Sequence, residues 1–181
     1  LFVELDYNAI ELRIMMALLG REQPTSDIHS HINASVFRNR YTRDQSKQKT
    51  FAWLYNPAAK NFNLDRVFPK KEILSKYYDG QKVRTPFGRE IESDDHHALN
   101  YIIQSTASDF FLRKVLQLEQ NMASMESNVA FCIHDSVVLD VKQKDLNELQ
   151  FAVEEFKNTP LGQFRINISA GKNFGQMDAK N

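Results

Sequence analysis

The chain has 181 residues, of which 42% are hydrophobic and 25% charged, with 23 basic side chains against 23 acidic ones. This is an ordinary globular composition. No apolar run is long enough for a membrane-spanning helix, and the single cysteine, Cys132, excludes a disulfide within the chain. The overall neutrality hides a segregation. Residues 38–89 carry 13 lysines and arginines against 4 aspartates and glutamates, and the remainder carries 10 against 19. One basic and one acidic region suit a polyanion whose reaction needs divalent cations, although an extended solvated surface gives the same tally. There is no initiator methionine, and residue 1 already lies in the apolar run Leu1-Phe2-Val3. We therefore expect a fragment or a processed chain rather than a complete gene product.

Leu1 to Tyr7 reads as a buried strand with Asp6 as its misfit, and Asn8 is a candidate cap for the helix that follows. Ile10, Ile14, Ala17 and Leu18 have helical spacing, Leu12, Met15, Met16 and Leu19 form a second apolar face, and Gly20 ends the element. Asp6 at a strand-to-helix junction can be a metal ligand or a solvated, capping carboxylate. Asp27-Ile28-His29-Ser30-His31 opens a short helix through Phe37. His29 and His31 do not share a helical face and have no third ligand nearby, which argues against zinc.

Thr42 and Gln45 form the sequence signature of a capping box and start a helix with no glycine or proline before Pro57. Within it Arg43, Lys47, Phe51 and Tyr55 recur every four residues and wind slowly along one face. Two cations, an aromatic plate and an aromatic hydroxyl could hold the phosphates and the base of a nucleotide. The same pattern could be a solvated basic turn running into a buried aromatic end.

Pro69 to Tyr78 is compatible with a short helix, Asp79-Gly80 is a turn, and Thr85-Pro86-Phe87-Gly88-Arg89 is a turn presenting an arginine. A long helix is expected from Asp95 to Met122, with Ile103, Ala107, Phe110, Phe111, Val115 and Leu118 on its buried side. Its Asn100 and Gln104 put two amides on one face, either as plain surface or as readers of a DNA minor groove. Val129–Ile133 and Val137–Val141 read as a hairpin with the acidic tip His134-Asp135-Ser136, with Cys132 as core filler. An amphipathic helix through Leu146, Leu149, Val153 and Phe156 and a strand from Phe164 to Ala170 complete the chain.

Three of these stretches, in this order, resemble the polymerase domain of the family A DNA polymerases, the bacterial DNA polymerase I and phage group. They are Asp6-Tyr7-Asn8-Ala9-Ile10-Glu11-Leu12-Arg13, the spacing Arg43-x3-Lys47-x3-Phe51-x3-Tyr55, and His134-Asp135 between two hydrophobic strands. Asp27-Ile28-His29, Phe87-Gly88-Arg89 and Asn100-x3-Gln104 are secondary matches, and the resemblance runs to about residue 175.

The resemblance implies an α+β fold, a palm with an antiparallel sheet plus a mainly helical fingers subdomain. The palm would comprise residues 1–22 and 96–181, and the fingers residues 23–95. It implies Asp6 and Asp135, helped by the Tyr7 carbonyl, as ligands of two Mg²⁺ ions. Arg43, Lys47 and His29 would contact the triphosphate, with Lys47 as proton donor to pyrophosphate. Phe51 would stack on the incoming base, Tyr55 would close the pocket, and Glu11 would exclude a ribose 2′-hydroxyl. Arg89, Asn100, Gln104 and His134 would touch the template–primer DNA. The implied partners are template–primer DNA and dNTPs, with a thumb elsewhere in the parent chain, in the cytoplasm of a bacterium or phage-infected host.

Ala9, Asn56 and Ser136 depart from the family pattern, where Gln, Gly and Glu are usual, and the segment Asn56–Arg84 is shorter than in the large bacterial members. Trimmed fingers suggest a phage-like lineage. Rival readings are a single-subunit RNA polymerase, a polymerase-like nucleic-acid-binding module without catalysis, with Ser136 as its sign, and a degraded gene fragment with no function of its own.

Overall fold

The computed structural model describes residues 1–56 and 58–180. Its contacts divide the chain into two compact units, one made of Leu1–Ile10 with Ser108–Asn181 and the other of Glu11–Ala107.

The first unit is built on a five-stranded antiparallel sheet. Its strands are β1 (Phe2–Tyr7), β4 (Asn128–Ile133), β5 (Ser136–Asp140), β8 (Ile166–Gly171) and β9 (Asp178–Lys180), in the spatial order β4-β5-β1-β8-β9. Strand β1 lies at the centre, and its residues alternate between half-exposed Phe2, Glu4 and Asp6 and buried Val3, Leu5 and Tyr7. This is the period of two that a pleated strand imposes. Tyr7 stacks on Phe156 at 4.7 Å and meets Phe110 and Phe164 at 5.1 and 6.0 Å. Its hydroxyl donates to the Phe156 carbonyl at 2.6 Å, so the buried phenol is satisfied. Phe156 belongs to α7 (Leu146–Lys157) and Phe110 to α6 (Ala98–Asn121). Lys114, only 4% exposed, donates to the Glu155 and Asn158 carbonyls and to Gln117 Oε1 at 2.7–2.8 Å. A buried ammonium is tolerated there because it satisfies carbonyls left open at the end of α7.

The second unit is mainly helical. It contains α1 (Ile10–Leu18) from Glu11 onward, α2 (Ile28–Ser35), α3 (Arg43–Tyr55), α4 (Phe62–Val67), α5 (Lys70–Tyr77), the hairpin β2 (Lys82–Arg84) with β3 (Glu90–Glu92), and the start of α6. Helix α1 is buried almost all round, with Ile10, Leu12, Ile14, Met15, Met16 and Leu18 each at most 7% exposed. Both of its expected apolar faces are therefore core, as suits a helix that is hydrophobic on every side. Arg13 is fully buried among them. Its guanidinium donates to the Pro24 and Ser26 carbonyls at 3.0 and 3.2 Å, and Gln23 returns a bond to its own carbonyl at 2.9 Å. The loop after α1 is thus pinned to the helix by one arginine.

The long helix keeps its expected buried side, from Ile103 to Leu118. Six short elements were not anticipated: α4, β2 with β3, the two-residue pair β6 (Asn158–Thr159) and β7 (Gly162–Gln163), and β9. Each is too short to impose a periodic pattern. One expectation is corrected. Cys132 is exposed rather than core filler, because β4 is the edge of the sheet and its residues are mostly exposed, Phe131 and Ile133 included, while β5 beside it is buried. Two similar apolar runs differ by position in the sheet.

Candidate active site

In the first unit the antiparallel register sets the geometry. Asp6 pairs across to Ser136 on β5 and to Asn167 on β8. Asp135 immediately precedes Ser136 in the two-residue turn joining β4 to β5, so both carboxylates stand at one end of neighbouring strands. Directly opposed residues in such a ladder have Cα atoms about 4.5–5.5 Å apart. Asn167 Nδ2 donates to Asp6 Oδ2 at 2.8 Å and orients it. Both aspartates are partly exposed. The turn places His134 at φ +53°, a left-handed conformation uncommon for a residue with a Cβ, and its side chain is exposed. Ala9, after the Tyr7-Asn8 end of β1, is left-handed as well, at φ +49°.

In the second unit the stripe on α3 takes shape as expected at its start. The capping box is complete: Thr42 Oγ1 accepts from the Gln45 amide, and Gln45 Oε1 accepts from the Thr42 amide. The buried side of the helix is Ser46, Thr50, Trp53 and Leu54. Ser46 Oγ donates to the His29 carbonyl at 3.1 Å, fixing α3 against α2. The stripe therefore faces outward. Arg43 and Lys47 are exposed, Phe51 is half-buried and Tyr55 is 45% exposed. Neither aromatic of the stripe is buried, while Trp53 between them belongs to the core.

The stripe continues into a connected row. Phe51 and Tyr55 stack at 5.7 Å with planes 9° apart, and the His29 ring tilts against Phe51 at 5.6 Å. Tyr55 donates its hydroxyl proton to Glu11 Oε1 at 3.1 Å, so the first turn of α1 is tied to the last turn of α3. At the other end Arg43 makes a two-pronged bond to Asp27, Nε to Oδ1 at 3.1 Å and Nη2 to Oδ2 at 2.9 Å, and also reaches Asp44 at 3.1 Å. Asp27 is simultaneously the N-cap of α2, accepting from the Ser30 amide at 2.9 Å. His29 is 2% exposed, and its Nδ1 has no hydrogen-bond partner. Burial lowers its pKa from 6.5 to about 4, with nearby Arg43 and Lys47 adding to the shift against the opposing Asp27 and Asp44. The imidazole is neutral at neutral pH.

The remaining candidates are dispersed. Arg89 is exposed after the β2–β3 turn, where its amide donates to Thr85 Oγ1 at 3.2 Å. On α6, Gln104 is exposed, whereas Asn100 has a buried Oδ1 without a partner. Sequence reasoning did not find Asp27 as the partner of Arg43, nor Asn167 as the partner of Asp6. Both are long-range pairs, and only a strand register or a helix packing brings them together. Among the described residues no group of three or more His, Cys, Asp or Glu forms a cluster able to hold a metal. Two carboxylates are available at this end of the strands, and the residue after Asp135 is Ser136 rather than a third.

No family model matches the chain. It is 24% identical over 190 residues to the thermostable DNA polymerase I of Thermus aquaticus, covering 80% of this chain and 23% of that protein. It is also 24% identical over 178 residues to the DNA polymerase of Mycobacterium phage D29, covering 79% of this chain and 29% of that protein. The chain thus spans about a quarter of the length of these curated relatives. Its fold matches the POL domain of Pol1 from M. smegmatis, solved in complex with DNA primer-template and dNTP, with a TM-score of 0.73 at 18% identity, over 94% of this chain and 39% of that one. The mixed helical and antiparallel architecture is that of a polymerase domain, and the resemblance to the family A DNA polymerases holds in sequence as well as in fold.

Proposed function

We propose that the chain is part of a DNA-directed DNA polymerase that transfers a nucleotidyl group from a dNTP to a primer 3′-hydroxyl. The sheet unit serves as palm, and the helical unit contains the fingers. The observation that carries this reading is the β1–β5 register, which brings Asp6 and Asp135 to one end of adjacent strands. Those two carboxylates and the Tyr7 carbonyl fit Mg²⁺, which takes one or two carboxylates and leaves its other positions to water and substrate phosphates. Two such ions, when bound, supply Lewis-acid activation of the primer hydroxyl and neutralise charge on the triphosphate.

The chain's own residues bind and orient. Arg43 and Lys47 take the phosphates, Lys47 hands a proton to departing pyrophosphate, and neutral His29 offers a hydrogen bond rather than a charge. Phe51 stacks on the base. Glu11, held by the Tyr55 hydroxyl, fills the space a 2′-hydroxyl needs. Arg89, Asn100, Gln104 and His134 contact the template–primer duplex. Arg43 must exchange Asp27 for phosphate, which makes Asp27 a regulator of phosphate affinity.

Primer extension tests the proposal. Asp6→Asn and Asp135→Asn should each abolish incorporation while leaving the fold intact by circular dichroism. Unchanged extension by Asp135→Asn would instead support a binding module without catalysis. A preference for rNTPs over dNTPs in the same assay would point to an RNA polymerase.

A further inference from the structure

The carbonyl of Trp53 lies in the last turn of α3, where helix carbonyls have no intrahelical donor. Continued α-helix would supply the amide four residues on, but residue 57 is a proline and has no amide proton to give. The chain leaves α3 through an extended Asn56, at φ −103° and ψ +108°. Lys70, the first residue of α5, takes the place of that amide: its Nζ donates to the Trp53 carbonyl at 2.6 Å.

The same ammonium also covers the indole. Lys70 Nζ lies 4.1 Å from the centre of the Trp53 ring, a cation–π distance. At the ring's edge Trp53 Nε1 donates to Asp65 Oδ1 at 2.9 Å. Asp65 Oδ2 accepts from the Asn61 amide at 3.0 Å, so the carboxylate is itself fixed at the start of α4. Phe68 tilts against the indole at 6.1 Å, and Trp53 is buried. Burial lowers the Lys70 pKa against the pull of Asp65, a cost that the carbonyl and the ring offset. Trp53 is thus held by its carbonyl, its ring face and its indole N–H. Two residues further on, the Tyr55 hydroxyl meets Glu11 at 3.1 Å.

We infer that Lys70, seated on Trp53 beside Asp65, is a positioning residue for sugar selection: it fixes the last turn of α3 and so keeps the Tyr55 hydroxyl on Glu11. The inference rests on the reading that Glu11 fills the space of a 2′-hydroxyl. All five residues belong to the helical unit. A helix end whose carbonyls have no donor frays. The Tyr55–Glu11 bond is already at the long end for O–H···O, so a shift of a few tenths of an ångström weakens it. The opposite end of the stripe is anchored separately, Arg43 by Asp27 and the helix start by its capping box. Loss of Lys70 therefore acts on the sugar rather than on the triphosphate.

Lys70→Met keeps an unbranched side chain and removes the ammonium. Primer extension by the full-length protein, with dATP and with ATP, gives the ratio of their kcat/KM values. That ratio should fall about 10-fold in Lys70→Met, the low end for one steric contact, through a rise for ATP while kcat for dATP is nearly kept. Asp65→Ala, which releases the indole N–H, should move the ratio the same way. Lys71→Met, an exposed neighbour on α5, should leave it unchanged. Tyr55→Phe/Lys70→Met should lose no more than the larger single variant, since both act on one contact. Trp53, the one tryptophan of the sequence, reports the arrangement without any reaction: its emission maximum should shift in Lys70→Met and not in Lys71→Met. Equal losses for dATP and ATP in Lys70→Met and Asp65→Ala, or losses that add in the double variant, would overturn the inference and leave Lys70 a structural cation. An emission maximum that stays put in Lys70→Met would overturn the contact with the ring. A protein that shows no preference for dATP before any substitution would overturn the Glu11 reading, and the inference with it.

Discussion

Asp27 performs two tasks that two substitutions can separate. Its carboxylate caps α2 through the Ser30 amide and pairs with the Arg43 guanidinium, whose side chain is 47% exposed against 18% for Asp27. Losing an N-cap to alanine costs about 1 kcal/mol. The ion pair is screened on its arginine side, so it is worth about 0.5–1 kcal/mol despite its two-pronged geometry. Asp27→Ala should therefore lose about 1.5–2 kcal/mol. Asp27→Asn keeps an oxygen for the cap and should lose only the pair, about 0.5–1 kcal/mol. At about 2–4 °C per kcal/mol for a chain of this size, the melting temperature should fall by about 3–8 °C for alanine and 1–4 °C for asparagine. Both are measured by thermal unfolding at low salt and again near 1 M salt, where the screening length is about 3 Å. High salt should erase most of the asparagine deficit and leave that of the cap. Equal losses in the two variants, or a deficit indifferent to salt, would refute the division of labour and with it the view that Asp27 holds Arg43 electrostatically.

Other outcomes follow from the same geometry. Tyr55→Phe removes the donor that holds Glu11, and Glu11→Ala removes the side chain itself. Each should relax discrimination against rNTPs, by up to about 10–200-fold, the worth of one steric contact, read as the ratio of kcat/KM values in primer extension. His29 is a base whose folded pKa, about 4, lies below its ordinary 6.5. The unfolded chain therefore binds the extra proton first, and stability should fall as pH drops from 6.5 towards 4. Denaturant midpoints across that window should show a shallower slope in His29→Gln; an identical slope would mean that another group dominates. Lys114→Met should cost about 2–3 kcal/mol, because the Glu155 and Asn158 carbonyls lose their buried donor. Urea denaturation checks this, and a loss below 1 kcal/mol would show that water replaces the ammonium.

Local patterning was enough to read the start and axis of α3, since a capping box and a spacing of four depend only on neighbours along the chain. The buried side of α6 and the alternation of β1 were legible for the same reason. Asp6 and Asp135 were also marked, as carboxylates misplaced beside apolar strands. Whether the α3 stripe faced solvent or core was not legible, because its own residues suit both. Packing decided it, by seating Ser46, Thr50, Trp53 and Leu54, rather than Phe51 and Tyr55, on the inner side. Cys132 shows the same limit: β4 and β5 are nearly interchangeable as strings, and only their edge and interior places in the sheet separate exposed from buried. The pairings Arg43–Asp27 and Asp6–Asn167 were out of reach too, being 16 and 161 residues apart. Chain proximity determines helices, caps and alternation; partners across such gaps are selected by register and packing, which exist only once the chain has folded.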